Sequence, residues 1–241
     1  MIPHGNGLGG RLPLAEPSDL SEPQQQLFDR MTQTVVPWAK RAGFASRTDD
    51  GRFIGPFNPA LLSPVIGGQF LAFQAAEEEN TSLTPRQRQV VILAVGAVWR
   101  SAYELYAHSA AARTAGLPAD TVRMLADGQM PGDLSAAERA AWRFTRQLTA
   151  DRWVDQPVYD QARAAFGTHG LADMVCLIGA YQTVCGILNA FDIPAPRRAG
   201  GVGDTDPPVC HGSRQRGLVD NRGRRDLPPP GGASRPHLGS T

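Results

Sequence analysis

Cysteines are scarce in this chain, and their arrangement excludes several kinds of site. The 241 residues include three cysteines, Cys176, Cys185 and Cys210, and no CxxC pair. An odd number without such a pair argues against a disulfide framework and is typical of a reducing cytoplasm, so we expect a cytoplasmic protein. Cys176 and Cys185 also make a poor redox pair, because nine residues along one helix put two side chains on opposite faces.

Long hydrophobic runs and a strong charge balance are also missing. No stretch approaches the roughly 18 uncharged apolar residues that a membrane-spanning helix needs, and the first residues lack the basic and apolar segments of an export signal. Residues 197–241 hold eight arginines against four aspartates, which leaves 16 basic and 19 acidic residues elsewhere. A mildly acidic folded region lacks the excess of basic residues that is typical of nucleic-acid-binding domains. We therefore expect neither a membrane nor a nucleic-acid partner.

Helix signals recur along the chain, whereas strand signals do not. Capping boxes, in which Ser or Thr is followed three residues later by Gln or Glu, begin at Thr84, Ser101 and Ser135. The predicted helices are Ser21 to about Ala42, Pro59 to about Glu79, the apolar run Val90–Trp99, helices following Ser101 and Ser135, a short one to about Asp127, Gln156–Phe166 closed by Gly167, and Gly170–Ala190. These signals predict an all-α protein with six to eight helices in one domain.

Composition divides the chain into three parts. Residues 1–49 read as a partly helical N-terminal extension whose first 20 residues form a loose arm, and residues 50–196 as the main domain. Residues 197–241 are rich in Gly, Pro and Arg, and such a segment buries too little apolar surface to offset its ordering entropy. We expect it to be a disordered tail.

The stretch RSAYELYAHS contains the most informative pair of residues, Glu104 and His108. Four residues apart on a helix, their side chains share one face, and a carboxylate beside an imidazole raises its pKa and orients its ring for acid/base chemistry. Two simpler readings stay open, because Glu104 also completes the capping box of Ser101 and His108 fits a packed core histidine. A metal would need a further ligand, for which His169 is the only candidate within the predicted fold, and we expect no metal.

The segment RQRQVVILAVGAVWRSAYELYAHSAAARTAGL resembles the carboxymuconolactone decarboxylase family and its alkyl hydroperoxidase D-like superfamily. The block YE-x-x-x-H-x-x-x-A-x-x-x-G is its most specific part, and the resemblance extends over roughly residues 50–196. It implies an all-α bundle that assembles into homo-oligomers, often trimers or hexamers. The redox branch of this superfamily carries Glu…CxxCxxxH, in which two cysteines perform thiol peroxidase chemistry.

In this chain the redox motif falls on residues that cannot perform that chemistry. Ser101 and Glu104 replace the two cysteines, His108 keeps the histidine position, and Gln89 matches the relay glutamate. Because the thiolate is the nucleophile that reduces peroxides, the resemblance implies the non-redox branch and disfavours peroxidase activity.

The resemblance also implies a role for each candidate residue in a decarboxylation without a cofactor. His108 is the candidate acid that reprotonates carbon, with Glu104 orienting its ring or serving as its proton partner. Tyr103 and Tyr106 are candidate donors to an enolate oxygen, although a buried tyrosine hydroxyl more often binds backbone. Arg100 is either an anchor for the substrate carboxylate or an exposed arginine at a helix end. Trp99 and Tyr181 are candidate apolar walls, and the loop Gly55–Asn58 is a candidate lid.

Three functions fit these residues. The first is a cofactor-free lyase acting on a small carboxylated lactone or enol acid, on a scaffold that would equally support isomerisation or dehydration. The second is peroxiredoxin-type activity, and the third is a helical oligomer that binds a small molecule without turnover.

Overall fold

The computed structural model describes residues 7–196, and this part of the chain is helical without a named strand. The all-α prediction is therefore confirmed. Cys210 and the predicted tail lie outside the described residues. A short 3₁₀-helix, Pro17–Asp19, precedes eight α-helices: α1 Glu22–Ala42, α2 Phe57–Ala60, α3 Pro64–Asn80, α4 Pro85–Trp99, α5 Ala102–Thr114, α6 Ala119–Ala126, α7 Ala136–Asp151 and α8 Gln156–Ala190.

Local sequence signals set the starts of most helices. The backbone N–H groups of Gln87 and Glu138 donate to the side chains of Thr84 and Ser135. In return, the side chains of Gln87 and Glu138 accept from the backbone N–H groups of Thr84 and Ser135, which completes both capping boxes. Gly167 interrupts α8 with a left-handed φ of 65°, a conformation that glycine adopts without strain. The predicted break between two helical segments is thus present as a kink.

The predicted helix from Pro59 is wrong at its start. The chain forms the short helix α2, leaves the helical conformation at Ser63 and begins again at Pro64. A proline disfavours helical geometry in the residue before it but fits the first position of a helix. Pro64 therefore ends one helix and begins the next, which the prediction of one continuous helix did not take into account.

The described part of the N-terminal arm, from residue 7 on, packs against the fold, where the sequence predicted a loose segment. Asn58 accepts a hydrogen bond from the backbone N–H of Ala15 at 2.9 Å and donates to the carbonyl of Pro13 at 3.1 Å. The N–H of Arg11 donates to the carbonyl of Phe191 at 2.7 Å. Leu8 and Leu14 pack against a core shared by α1, α5 and the end of α8. A buried asparagine and two leucines therefore hold the arm in place. Composition does not predict these contacts.

Helix α4 lies at the centre of the fold, in contact with α5, α6, α7 and α8. Its residues Val90 to Gly96 are buried on every side, as an all-round apolar helix requires. On one side α4 packs with α7 and α8, and on another with α6 and the end of α5. The prediction that Val90–Trp99 forms a helix is confirmed, and the helix is buried up to Gly96, whereas Trp99 is exposed.

Helix α8 is long and apolar enough to cross a membrane by length and composition alone. Half of its most apolar 18-residue window is buried against the rest of the fold. The core helix of a water-soluble protein passes the same test, so the expectation of no membrane partner stays a prediction.

Candidate active site

A cavity of about 630 Å³ lies between α1, α3, α5 and α8. This volume falls within the range of small-molecule sites. Most of its wall is apolar or aromatic, as is usual for such sites, and includes Val35, Trp38, Phe44, Phe57, Phe70 and Val184. The polar groups in the wall are few. Two clusters of them, one around His108 and one around Arg88, are candidates for binding or catalysis.

His108, on α5, forms part of the cavity wall although it is only 4% exposed. Its Nδ1 lies 2.9 Å from Oε1 of Gln89 on α4, and its Nε2 lies 3.3 Å from Oε1 of Glu104. The edge of the imidazole meets the ring of Tyr181 at a centroid distance of 4.9 Å. The structure thus brings His108, Glu104 and Gln89 together, and their roles as site residues stay a prediction.

Glu104 does not complete the capping box that its sequence pattern predicts. The side chain of Ser101 makes no cap hydrogen bond, and neither Ser101 Oγ nor Glu104 Oε1 has a hydrogen-bond partner of normal geometry. The first turn of α5 is buried, and Glu104 is 3% exposed. A methyl group at Gly96 on α4 would crowd the Cδ2 of Leu105 at 3.1 Å, so the glycine lets α4 pack closely against this part of α5. The glutamate is turned toward His108.

Burial makes the pair neutral near pH 7. It raises the pKa of Glu104 to about 8, and together with the positive charge of Arg88 it lowers the pKa of His108 to about 3. The sequence had predicted a raised imidazole pKa, which assumed an ionised neighbour, and the structure instead opposes charge on both groups. Since Gln89 presents an oxygen to Nδ1, Nδ1 carries the ring proton. The lone pair is then on Nε2, which lies 3.3 Å from Oε1 of Glu104 without an aligned hydrogen bond to it.

A second polar cluster lies at the α3–α4 side of the same cavity. Arg88 on α4 donates to Oε2 of Glu77 on α3, and both side chains are more than nine-tenths buried. The other oxygen of Glu77, Oε1, has no hydrogen-bond partner. Glu78 also lines the cavity. The sequence pattern does not predict this cluster, and its one local signal is an arginine beside the buried stretch of α4.

The two candidate tyrosines hold the backbone of one residue. The hydroxyl of Tyr103 donates to the carbonyl of Ala45 at 2.7 Å, and the hydroxyl of Tyr106 accepts from the N–H of Ala45 at 3.0 Å. Tyr103 also lines the cavity, whereas Tyr106 does not. The proton of the Tyr103 hydroxyl is thus already donated to Ala45, and Tyr106 lies away from the cavity wall. Both facts argue against the predicted role at an enolate oxygen.

The other predicted residues are divided between the cavity and the surface. Tyr181 lines the cavity, as expected of an apolar wall. Trp99 and Arg100 are exposed at the end of α4 and are not among the lining residues. Arg100 ends α4 in the left-handed conformation, with φ of 51°. Arg88 is the guanidinium that the fold brings to the cavity in its place.

The loop Gly55–Asn58 forms a fixed part of the cavity wall. Pro56 and Phe57 line the cavity, and the backbone of Gly55 lies against the ring of Tyr103 with φ of 64°. A side chain at Gly55 would overlap that ring. The buried position of Asn58 and its two backbone hydrogen bonds also hold the loop in place.

Neither a metal nor a thiol pair has a place in the part of the chain that the structure describes. No three His, Cys, Asp or Glu residues cluster within residues 7–196, and His169 is exposed with only Asp173 beside it at 3.8 Å. Cys176 is exposed and Cys185 is buried, as their predicted placement on opposite faces requires. Burial, with a contribution from Glu104, raises the pKa of Cys185 well above that of a free thiol.

The fold defines a class of architecture, an all-α bundle like those of AhpD-like proteins. Residues 64–147 match the model of the carboxymuconolactone decarboxylase family. This part of the chain is therefore similar to that family. The matched segment contains α3, α4, α5, α6 and most of α7, and therefore both polar clusters of the cavity. No curated protein matches the chain.

Solved structures share this fold at low sequence identity. The AhpD core of a peroxidase-related protein from Ralstonia eutropha JMP134 is 17% identical with a TM-score of 0.60, covering 77% of this chain and 92% of its own. A peroxidase-related protein from Silicibacter sp. TM1040 is 18% identical with a TM-score of 0.56, covering 80% and 94%.

The debrominase Bmp8, in a complex of its Cys-to-Ala variant with 2,3,4-tribromopyrrole, is 14% identical with a TM-score of 0.59, covering 76% of this chain and 90% of its own. At these identities the likeness shows the fold, and the chemistry of this chain must be argued from its own residues.

Proposed function

We propose that the protein is a cofactor-free lyase that moves a proton between a small, largely apolar substrate and the Glu104–His108 pair. The carrying observation is that a neutral carboxylic acid and a neutral imidazole lie side by side at the wall of an apolar cavity. An acid whose pKa lies near the working pH is suited to general acid catalysis.

The geometry gives the two residues different tasks. His108 lines the cavity, whereas Glu104 lies behind it and does not. The 3.3 Å contact between Nε2 and Oε1 is not an aligned hydrogen bond, so the Nε2 lone pair is open to a substrate proton. Gln89 holds the tautomer in which Nε2 is the base. His108 is thus the proposed catalytic residue, and Glu104 is its proton donor and reservoir.

Decarboxylation is the specific reaction that the family name suggests. The bond between the carboxylate carbon and its neighbour would break, the electron pair would pass into a conjugated carbonyl as an enolate, and the carbon would take a proton through His108. Glu104 supplies that proton and is restored from solvent. This reaction also needs a cation that binds the substrate carboxylate. Arg88 meets this need poorly, because it is already paired with Glu77.

Peroxidase activity has less support from these residues. The positions of the redox cysteines hold Ser101 and Glu104. Cys185, which is buried near Glu104, has a raised pKa, so the thiolate that would attack a peroxide is suppressed.

The proposal is tested by deuterium uptake from D₂O at a substrate carbon, measured by mass spectrometry over a panel of small lactones and enols. The panel includes γ-carboxymuconolactone, whose loss is also followed by ultraviolet absorbance. We expect turnover by the wild-type protein and a loss of about a hundredfold or more in His108→Ala.

His169→Ala is the matched control, because it removes an exposed histidine from α8 and should keep full activity. Turnover that survives in His108→Ala would overturn the assignment of the catalytic residue. Tight binding of a panel member without turnover in the wild-type protein would support a non-catalytic binder.

A further inference from the structure

The α3–α4 side of the cavity restricts which ligands it accepts. Among the lining residues, which lie within the described part of the chain, Arg88 is the one arginine and no lysine is present, while Glu77 and Glu78 are both acidic. The cavity wall therefore has no surplus positive charge. A carboxylate entering it would meet two carboxylates and one cation.

Arg88 is not free to bind such a carboxylate. It already donates to Glu77, and both side chains are more than nine-tenths buried. A ligand carboxylate would have to displace Glu77 and leave that charge buried without a partner, a change that is strongly unfavourable in protein interiors.

Glu77 itself lacks one hydrogen bond. Its Oε1 is buried and has no partner, although Oε2 accepts from Arg88. A buried acceptor without a donor is rare in folded proteins and costs free energy. Because Glu77 lines the cavity, an N–H or O–H group of a ligand at this end would provide the missing donor with a small rotation of the side chain.

The remaining wall sets the character of the rest of the ligand. Trp38, Phe44 and Phe70 are aromatic, and Val35 and Val184 are aliphatic. These side chains favour an apolar or aromatic body with few polar atoms. His108 then faces the ligand from α5 while Glu77 faces it from α3.

We propose that the cavity takes an uncharged, largely apolar small molecule whose N–H or O–H donor binds Glu77, and that it selects against carboxylates. This inference rests on the proposed function only in assigning the ligand to the same cavity. It limits the lyase to uncharged substrates with a donor near Glu77, and therefore favours reactions other than decarboxylation. It also replaces the carboxylic acid substrate that the sequence predicted.

The test compares three probes of similar shape by isothermal titration calorimetry at pH 7. They are 4-tert-butylphenol, which has a donor, 4-tert-butylanisole, in which methylation removes it, and 4-tert-butylbenzoate, which is an anion. We expect the phenol to bind at least about tenfold more tightly than either of the others, as one hydrogen bond to a charged acceptor allows.

Two variants assign this preference to Glu77. Glu77→Gln leaves Arg88 without its ionic partner, so the benzoate should gain about tenfold in affinity and the phenol should lose its advantage. Glu79→Gln makes the same charge change at an exposed residue outside the cavity wall and should leave the ranking unchanged. If Glu77→Gln does not fold, the wild-type ranking decides alone.

Several results would overturn the inference. These are tighter binding of the benzoate than of the phenol by the wild-type protein, equal binding of phenol and anisole, or no binding of any probe. The His108→Ala variant separates this inference from the proposed function, since it should lose turnover but keep the ranking of the probes. A preserved ranking without turnover in the wild-type protein would reject the lyase and retain the ligand class.

Discussion

The starts of α5 and α7 carry the same sequence pattern and use it in opposite ways. Both read Ser-Ala-x-Glu. At α7, the Ser135 backbone N–H donates to Oε2 of Glu138 at 2.8 Å, and Arg86 donates to its Oε1 at 2.9 Å. At α5, Ser101 and Glu104 make no reciprocal cap, and Glu104 faces a histidine.

The difference appears directly in the pKa values of the two glutamates. Burial alone would raise the pKa of Glu138, but hydrogen bonds from Arg86 and Ser135 outweigh it and lower the pKa. Glu104 receives no such donors, so burial raises its pKa to about 8. A capping box is thus a local preference, and the partners that tertiary packing brings to the carboxylate decide whether it caps a helix or stores a proton.

The largest expected effect separates the two glutamates by activity. Glu104→Gln should lower turnover by about a hundredfold or more, because the amide cannot supply a proton to His108. Glu138→Gln should leave turnover unchanged, since Glu138 contacts Arg86 and Ser135 and has no contact with His108 or the cavity. Steady-state kinetics on the substrate found by deuterium uptake measures both. Equal losses in the two variants would remove the functional distinction between the two helix starts.

The next effect is on the pH dependence of stability. Glu104 has a pKa of about 8 in the fold and a model value of 4.5, so the folded state binds the extra proton between these pH values. Stability from this group therefore falls as pH rises, at about 1 kcal/mol per pH unit. His108, with a folded pKa of about 3 against 6.5, contributes a rise between those values.

These two slopes cancel between about pH 4.5 and 6.5, and Glu104 acts alone from there to about 8. Urea unfolding of wild type and Glu104→Gln at a series of pH values checks this. As the pH rises toward about 8, the free energy of unfolding of the variant should increase relative to that of wild type. Glu138→Gln is the control, because the folded state lowers the pKa of Glu138. The ionised carboxylate therefore contributes stability above its unfolded pKa, and this contribution is lost as the pH falls. A pH-independent difference for Glu104→Gln would contradict the buried neutral acid.

A smaller effect is expected from the Arg86–Glu138 contact. Glu138→Gln should destabilise the fold by about 1 kcal/mol, since it weakens a charge-assisted hydrogen bond to a partner that is about two-fifths exposed to solvent. Thermal unfolding at pH 7 measures the loss. No change in Tm would mean that Glu138 contributes as little to its helix start as Glu104 does.

The smallest effect compares the two serines. Ser135→Ala should cost about 1 kcal/mol, because its Oγ accepts from the N–H of Glu138. Ser101→Ala should cost less than about 0.5 kcal/mol, because the Oγ of Ser101 is buried without a partner of normal geometry. Chemical denaturation of the two variants decides this, and a larger loss for Ser101→Ala would show that α5 depends on its N-cap after all.

Much of the fold was predictable because its signals are local. The proline at the start of α4, the capping box of Ser135 and the left-handed Gly167 act within a few residues, and each appears where predicted. The break at Pro64 also has a local cause, but a proline can end one helix or begin another. Its presence alone therefore did not predict the break.

The candidate site was predictable only in part. His108 and Glu104 are four residues apart, so helical geometry alone brings them together. Arg88 and Glu77 meet across two helices, and the tyrosines find Ala45 at separations of 61 and 58 residues. Sequence position does not reveal such partners, which is why Arg100 was expected at the cavity and Arg88 lines it.

The sequence by itself determined the helices, the buried character of α4, and the neighbourhood of His108, Glu104 and Gln89, because these depend on periodicity, caps and a recognisable motif. Only the tertiary structure decided that Glu104 stays protonated and that Arg88 is neutralised by Glu77. It also decided that Arg88 and Glu77 line the apolar cavity while Glu104 lies behind its wall. The reason is physical. The pKa of a side chain and the availability of its charge depend on the solvent that packing removes and on the partners that packing supplies.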